Sequence, residues 1–310
     1  MDRIRIALVQ EPLSLEYLGH AECLLGLRPG SDQLERILHE PRPDPTEQLH
    51  RLAADVLGKK ADAVLWPAST LPLQLPAGLL VGSLFRCTEY GYRLVTREID
   101  DAEALRELPA GSRVLACDPI ARAQILFRFP GLCVGFADSS AKVFGEVARG
   151  EWNAACVPAE ALDLGVLDGL RVSSIPPEQV LPVVGQGVVA LLVAERNGSA
   201  VERIQAISDP VLGAALGIER TFLRSVSDVA DAVATARTIM QGTKIDLTGI
   251  LAGQDGEWLA LDGALVAARF KRFVAEEVAD GCRELARHER AGIVSVGELV
   301  AAGAVGSIWR

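Results

Sequence analysis

The chain has 310 residues, of which 49% are hydrophobic but only 5% aromatic, and its formal net charge is -10 at pH 7. That length exceeds what one compact core sustains, so two or three domains are expected. The acidic balance argues against nucleic acid or an anionic membrane as partner, since both call for clustered Lys and Arg, and no apolar run reaches membrane-spanning length.

The opening residues, MDRIRIALVQ, enter a strand-like alternation with no apolar signal region, so a cytoplasmic protein is expected. IRIALVQ predicts a buried strand, and PLSLEYLGHAECLLGL a helix opened by proline. LERILHE is a second strand, DPTEQLHRLAADVLGKK a helix with Asp44 and Thr46 at its start, and ADAVLWP a third strand. This β-α-β rhythm implies a parallel sheet. GLLVGSLFR and YRLVT follow as strands, then the acidic REIDDAEALRELPAG, a solvated linker and helix face. SRVLACD, PIARAQILFRF, GLCVGFA, SSAKVFGEVARG, NAACVPA and AEALDLGVL restart the strand and helix alternation, with Pro119 and Ser139 as helix openers.

In LPVVGQGVVALLVAERN, residues 181–197, a Gly-Gln-Gly interrupts two stretches apolar enough to be buried strands. Glycine weakens a strand interior, so its presence there marks a place where the bare backbone is needed. Gly185 and Gly187 are expected at a crossover between domains, beside a cleft where a ligand can lie against main-chain N–H groups. DPVLGAALGIERTFLRSV predicts a long amphipathic helix, and AVATARTI, KIDLTGILAG and EWLALDGAL alternate with period two around a Gln254-Asp255-Gly256 turn. A last helix, KRFVAEEVADGCRELARHERAG, completes a small antiparallel α+β domain. The expected division is 1–97 with 189–212 as an α/β domain, 98–188 as a second, and 213–310 as the third.

These stretches carry a resemblance. SSIPPEQV followed by LPVVGQGVVALLVAERN resembles the LPAVGQGALGIE segment, following PPE, of the porphobilinogen deaminase (hydroxymethylbilane synthase) family. RIALVQEPLSL resembles that family's RIATRQSPLAL, ADAVLWPASTLPLQLPAGL its ADIAVHSMKDVPVEFPQGL, and IERTFLRSV the helix that opens its third domain. The resemblance implies two doubly wound α/β domains related to type II periplasmic binding proteins, plus a small third domain with a three-stranded antiparallel sheet. It also implies a covalent dipyrromethane cofactor on a cysteine, and a monomeric transferase of tetrapyrrole biosynthesis that polymerises porphobilinogen.

At the positions that carry the family's chemistry the sequence departs. Thr70 occupies the place of the catalytic aspartate of HSMKD, and Ser69 that of its lysine. A hydroxyl without an acidic proton cannot take the part of a carboxylate. Val9, Ile120, Ala121 and Asp163 stand where the family has arginines, FADSSAKVF offers only Lys142 in place of LRGNVGTRL, and Ala230 falls at the cofactor cysteine. A pocket stripped of arginine forks leaves the carboxylates of an oligopyrrole desolvated and unpaired.

Six cysteines are present without any CxxC pair, so neither a zinc cluster nor a disulfide framework is indicated. Cys282, on a helical face with Val274, Val278 and Leu285, reads as a core thiol. Cys117, at a strand end before Pro119, reads as a structural thiol ahead of a nucleophile, having no nearby histidine. His20, His39, His50 and His288 lack ligand spacing and read as surface residues, so no metal is expected.

In open α/β sheets ligands bind beyond the carboxyl ends of strands. The candidate ligand site is therefore Gln10, Ser69, Thr70, Cys117, Asp118, Ser139, Ser140, Lys142, Gly185, Gln186 and Gly187. Asp118 and Ser139 serve equally as helix caps, and Trp66 as a core aromatic. The expectation is a divergent relative without cofactor that binds or transforms a small ligand, with no protein partner required. Authentic hydroxymethylbilane synthase and a non-catalytic small-molecule binding protein are the alternatives.

Overall fold

The computed structural model describes residues 3–28, 32–97, 104–137, 140–164, 167–195, 199–267 and 273–290. In chain order the elements are β1 (Ile4–Val9), α1 (Pro12–Leu24), β2 (Leu34–His39), α2 (Pro45–Leu57), β3 (Ala63–Pro67), β4 (Leu79–Arg86), β5 (Tyr92–Arg97) and β6 (Arg113–Ala116). There follow α3 (Pro119–Arg128), β7 (Cys133–Phe136), α4 (Ser140–Ala148), β8 (Ala154–Pro158), β9 (Leu170–Ile175), β10 (Val188–Ala194) and α5 (Ser199–Gln205). The last are α6 (Pro210–Ser225), β11 (Ala232–Gln241), β12 (Lys244–Gly253), β13 (Leu259–Ala267) and α7 (Val274–Arg290).

The chain divides into two units, Met1–Glu89 with Gly185–Ala214, and Tyr90–Val184 with Ala215–Arg310. In the first, the sheet order is β2-β1-β3-β10-β4, with β1 parallel to β2 and β3, and β10 antiparallel to β3 and β4. The interior of β1 is buried on both faces, which explains its unbroken apolar run. Pro45 starts α2, Asp44 Oδ1 accepts from the Thr46 N–H at 2.8 Å, and the apolar stripe Leu49, Leu52, Ala53 and Val56 is buried.

The second unit repeats that order as β7-β6-β8-β5-β9, with β5 antiparallel to β8 and β9. Two α/β sheets, each with an antiparallel strand next to one edge, and a separate antiparallel meander β11-β12-β13 make the doubly wound architecture expected from the sequence.

Three expectations change in detail. YRLVT pairs in the second sheet, so the break after the first segment lies between Glu89 and Tyr90 rather than at 97/98. Alternation identifies a strand but not its neighbour, and the fully buried Leu94 and Val95 take their partners from β8 and β9. Residues 213–310, expected as a third domain, keep their own antiparallel sheet, and from Ala215 onward they share a contact unit with the second α/β sheet. The cause is shared core: Ala123 of α3, Leu181, Ile250, Ala252 and Leu259 form one buried cluster. Finally, AEALDLGVL gives, among its described residues, a 3-10 segment at Ala159–Leu164, and Leu170–Ile175, unassigned from sequence, is an edge strand.

Gln124 ties the same region together. Fully buried, it donates from Nε2 to the Leu181 oxygen and accepts from the Leu181 N–H, both at 2.8 Å. Thr235 Oγ1 donates to the Pro182 oxygen at 2.5 Å. Among the described residues no helix is long and apolar enough to cross a membrane.

Candidate functional site

In the first unit the site grows from the carboxyl ends of β1 and β3. Gln10 follows β1 directly and is exposed. After β3 the chain makes a single 3-10 turn, Ala68–Thr70, in which Thr70 is exposed and its Oγ1 donates to the Pro67 oxygen at 3.3 Å. Because β10 runs antiparallel to β3, with Val189 opposite Pro67, the residues entering β10 arrive at this same end.

Gly185 and Gly187 are what allow that arrival. Both have positive φ, 82° and 69°. A Cβ on Gly185 would lie 2.7 Å from the Ala68 carbonyl carbon, and one on Gly187 2.8 Å from the Thr88 oxygen. The Gly187 oxygen accepts from the Cys87 N–H at 2.9 Å. The glycines thus clamp main chain onto main chain, with Gln186 buried between them. Gln10, Ser69, Thr70 and Gly185 to Gly187 therefore share one end of one sheet.

In the second unit Cys117 and Asp118 follow β6, and Asp118 caps α3, its Oδ1 accepting from the Ala121 N–H at 2.7 Å. Burial pushes the Asp118 carboxyl up, against the lowering effect of Tyr92 and of the Ala121 and Ile120 N–H groups. Tyr92 is fully buried at the start of β5, and burial, then the charge of Asp118, pushes its hydroxyl well up. Ser140 begins α4 and Lys142 is exposed on it, whereas Ser139 lies outside the described residues. The helix-capping role of Asp118 is met, and a buried tyrosine stands beside it.

Sequence reasoning passed over Tyr92 and Arg86. Arg86 ends β4 opposite Val188, so it reaches the same sheet end as Thr70. Applying the strand-end rule to GLLVGSLFR as well as to its neighbours would have found it. Tyr92 carries no such signal, because alternation cannot distinguish a tyrosine placed for its ring from one placed for its hydroxyl.

The cysteines are distributed as follows. Cys23 and Cys133 are exposed, Cys87 and Cys117 half-buried, and Cys156 and Cys282 buried. The Cys282 thiol donates to the Gly249 oxygen at 3.5 Å, and burial raises its pKa; burial raises that of Cys156 as well. Ala230 is exposed in the turn before β11. His39, expected at the surface, is half-buried with its Nε2 2.7 Å from Asp55 Oδ2. Among the described residues there is no group of His, Cys, Asp and Glu that could hold a metal ion.

No family model matches the chain. It is 26% identical over 232 residues to the porphobilinogen deaminase of Prochlorococcus marinus strain MIT 9515, covering 74% of this chain and 73% of that protein. To the porphobilinogen deaminase of Synechococcus sp. strain CC9605 it is 28% identical over 215 residues, covering 68% of this chain and 67% of that protein. A solved amino acid ABC transporter substrate-binding protein from Streptococcus pneumoniae, bound to L-arginine, aligns with a TM-score of 0.39 and 11% identity over 66% of this chain and 86% of that one. Along some 70% of its length the chain is thus similar, at 26% and 28% identity, to porphobilinogen deaminases.

Proposed function

We propose that this protein keeps the scaffold of its relatives but carries no dipyrromethane, makes no hydroxymethylbilane, and uses the strand-end site around Thr70 and Gly185 to bind a small ligand. The observation that carries this reading is at the cofactor position. Ala230 stands there without a thiol, and the cysteine nearest in sequence, Cys282, is a buried, hydrogen-bonded core group whose thiolate burial disfavours.

The proton chemistry points the same way. At the family's aspartate position the exposed Thr70 hydroxyl already donates to the Pro67 oxygen. A hydroxyl can orient a polar ligand but stays protonated at neutral pH, so it neither stabilises a cationic pyrrole by charge nor shuttles its protons. Gln10, Ser69 and Thr70 offer neutral hydrogen bonds, and Arg86 one cation at the same sheet end. That set suits a small polar ligand with one anionic group rather than a chain of acidic pyrroles. If a reaction follows binding, it belongs to the transferase or lyase-like class.

Hydroxymethylbilane synthase itself is the second reading, favoured by the name its relatives carry. Incubation of the purified protein with porphobilinogen separates the two. The proposal expects no consumption of porphobilinogen and no coloured adduct when the acid-treated protein meets p-dimethylaminobenzaldehyde. Steady consumption with formation of a linear tetrapyrrole would establish the second reading. For binding, a melting shift in a metabolite series identifies the ligand, since saturation at a hundred times Kd stabilises by about 2.7 kcal/mol. A ligand bound without turnover marks a binding protein.

A further inference from the structure

A cavity of about 170 Å³ lies on one face of the third sheet and is lined entirely by residues of the second unit. Strand alternation builds its floor. Arg237 and Ile239 project from β11 on the same face as Asp246 and Thr248 of β12, and the register sets Arg237 opposite Thr248 and Ile239 opposite Asp246. The end of α3, with Arg128, and the loop through Glu178 form the wall.

Of the charges around this space, Arg237 and Glu178 form a long ion pair, whereas Arg128 and Asp246 have no ion-pair partner among the described residues. Arg128 donates from Nη1 to the Glu178 main-chain oxygen at 2.5 Å, and among the described residues no carboxylate lies within ion-pair distance of its guanidinium. Its pKa is lowered by burial. Across the space, Asp246 Oδ1 is buried without a hydrogen-bond partner among the described residues. Arg237 is only loosely engaged, 3.9 Å from Glu178 Oε1 and 5.6 Å over the Tyr90 ring. A charge drawn partly out of water without a partner carries part of the cost of a buried one. Here, beside the Arg237–Glu178 pair, Arg128 and Asp246 line one small space without an ion pair between them, each held by its own element, and apolar Leu181, Ile250 and Leu261 contribute to the lining.

We propose that this cavity binds a small zwitterion of the apolar α-amino acid class, its carboxylate on Arg128 and Arg237 and its ammonium on Asp246 and Thr248. Both orphaned charges are then matched at once, and the hydrocarbon side chain rests on Leu181 and Ile250. A phosphate or dicarboxylate satisfies the arginines but sets an anion against Asp246, and a simple amine leaves Arg128 uncompensated. None of these groups belongs to the strand-end site, so failure here leaves the cofactor question untouched.

The test is calorimetric titration of the full chain with L-leucine, with 4-methylpentanoate, which lacks the ammonium, and with 3-methylbutylamine, which lacks the carboxylate. L-Leucine is expected to bind about tenfold or more tightly than either analogue, and Arg128→Gln and Asp246→Asn each to weaken it by about tenfold or more. The analogue comparison on the unaltered protein decides the matter even if a variant fails to fold. Absence of heat and of any melting shift with millimolar L-leucine, L-valine, L-isoleucine and L-methionine overturns the proposal. So does equal binding of the two analogues, or unchanged affinity in both variants.

Discussion

Gly185 is pressed against Ala68: with φ at 82°, it places its Cα where a side chain would meet the Ala68 carbonyl carbon at 2.7 Å. Gly187 stands likewise against the Thr88 oxygen, at 2.8 Å. Because the opposing atoms are backbone, neither can step aside cheaply. Gly185→Ala and Gly187→Ala are each expected to cost about 2 to 5 kcal/mol, combining left-handed strain with overpacking. Gly217→Ala, in α6 with nothing within 4 Å of an added Cβ, is expected to gain about 0.5 to 1 kcal/mol. Denaturant unfolding of the three variants measures the contrast.

Gln124 is the polar group on which the joint between α3 and the Leu181 segment rests, with both of its amide atoms bonded to Leu181. Gln124→Leu keeps the volume but leaves a buried N–H and a buried C=O without partners. A loss of about 2 to 4 kcal/mol is expected by the same unfolding measurement. A change below about 0.5 kcal/mol would show that the Leu181 main chain finds other partners.

Asp118 sets a pH dependence whose sign follows from burial. Its carboxyl titrates higher in the fold than in the unfolded chain, so the fold favours the protonated form. The stability linked to it is fully present below the unfolded value near 4 and is lost as pH rises through the folded one. Asp118→Asn keeps the cap on Ala121 and removes the titration. It is expected to match the unaltered protein more closely at acid pH and to exceed it in stability toward neutral pH. Asp118→Ala also loses the cap, at about 1 kcal/mol.

Thiol exposure predicts a labelling order. Cys23 and Cys133 should react with a maleimide in the native protein, while Cys156 and Cys282 should react only after unfolding. Peptide mapping of briefly labelled protein reads this directly. Rapid native labelling of Cys282 would mean that the helix over Gly249 opens readily.

Much of this architecture was legible in the residues. The unbroken IRIALV run, the capped helix after Asp44 and the period-two runs around Gln254-Asp255-Gly256 each report local geometry that the fold retains. What a run cannot report is its neighbour. YRLVT gives no sign that it pairs with NAACVPA rather than with GLLVGSLFR, since both offer apolar partners. The short LRVSSI edge strand, with one buried face at most, was equally silent. At the site, glycines were the clearest signal, because a close approach of backbones excludes every other residue. Tyr92 and the presence of Arg128 and Asp246 around one cavity depend on which faces meet, which spacing along the chain does not encode.

The measurement that bears most directly on the proposal that no oligopyrrole is carried is the intact mass of the purified protein. The unmodified polypeptide mass is expected, before and after exposure to porphobilinogen. An added mass of two pyrrole units, mapped to any one of the cysteines, would contradict it and return the chain to the chemistry of its relatives.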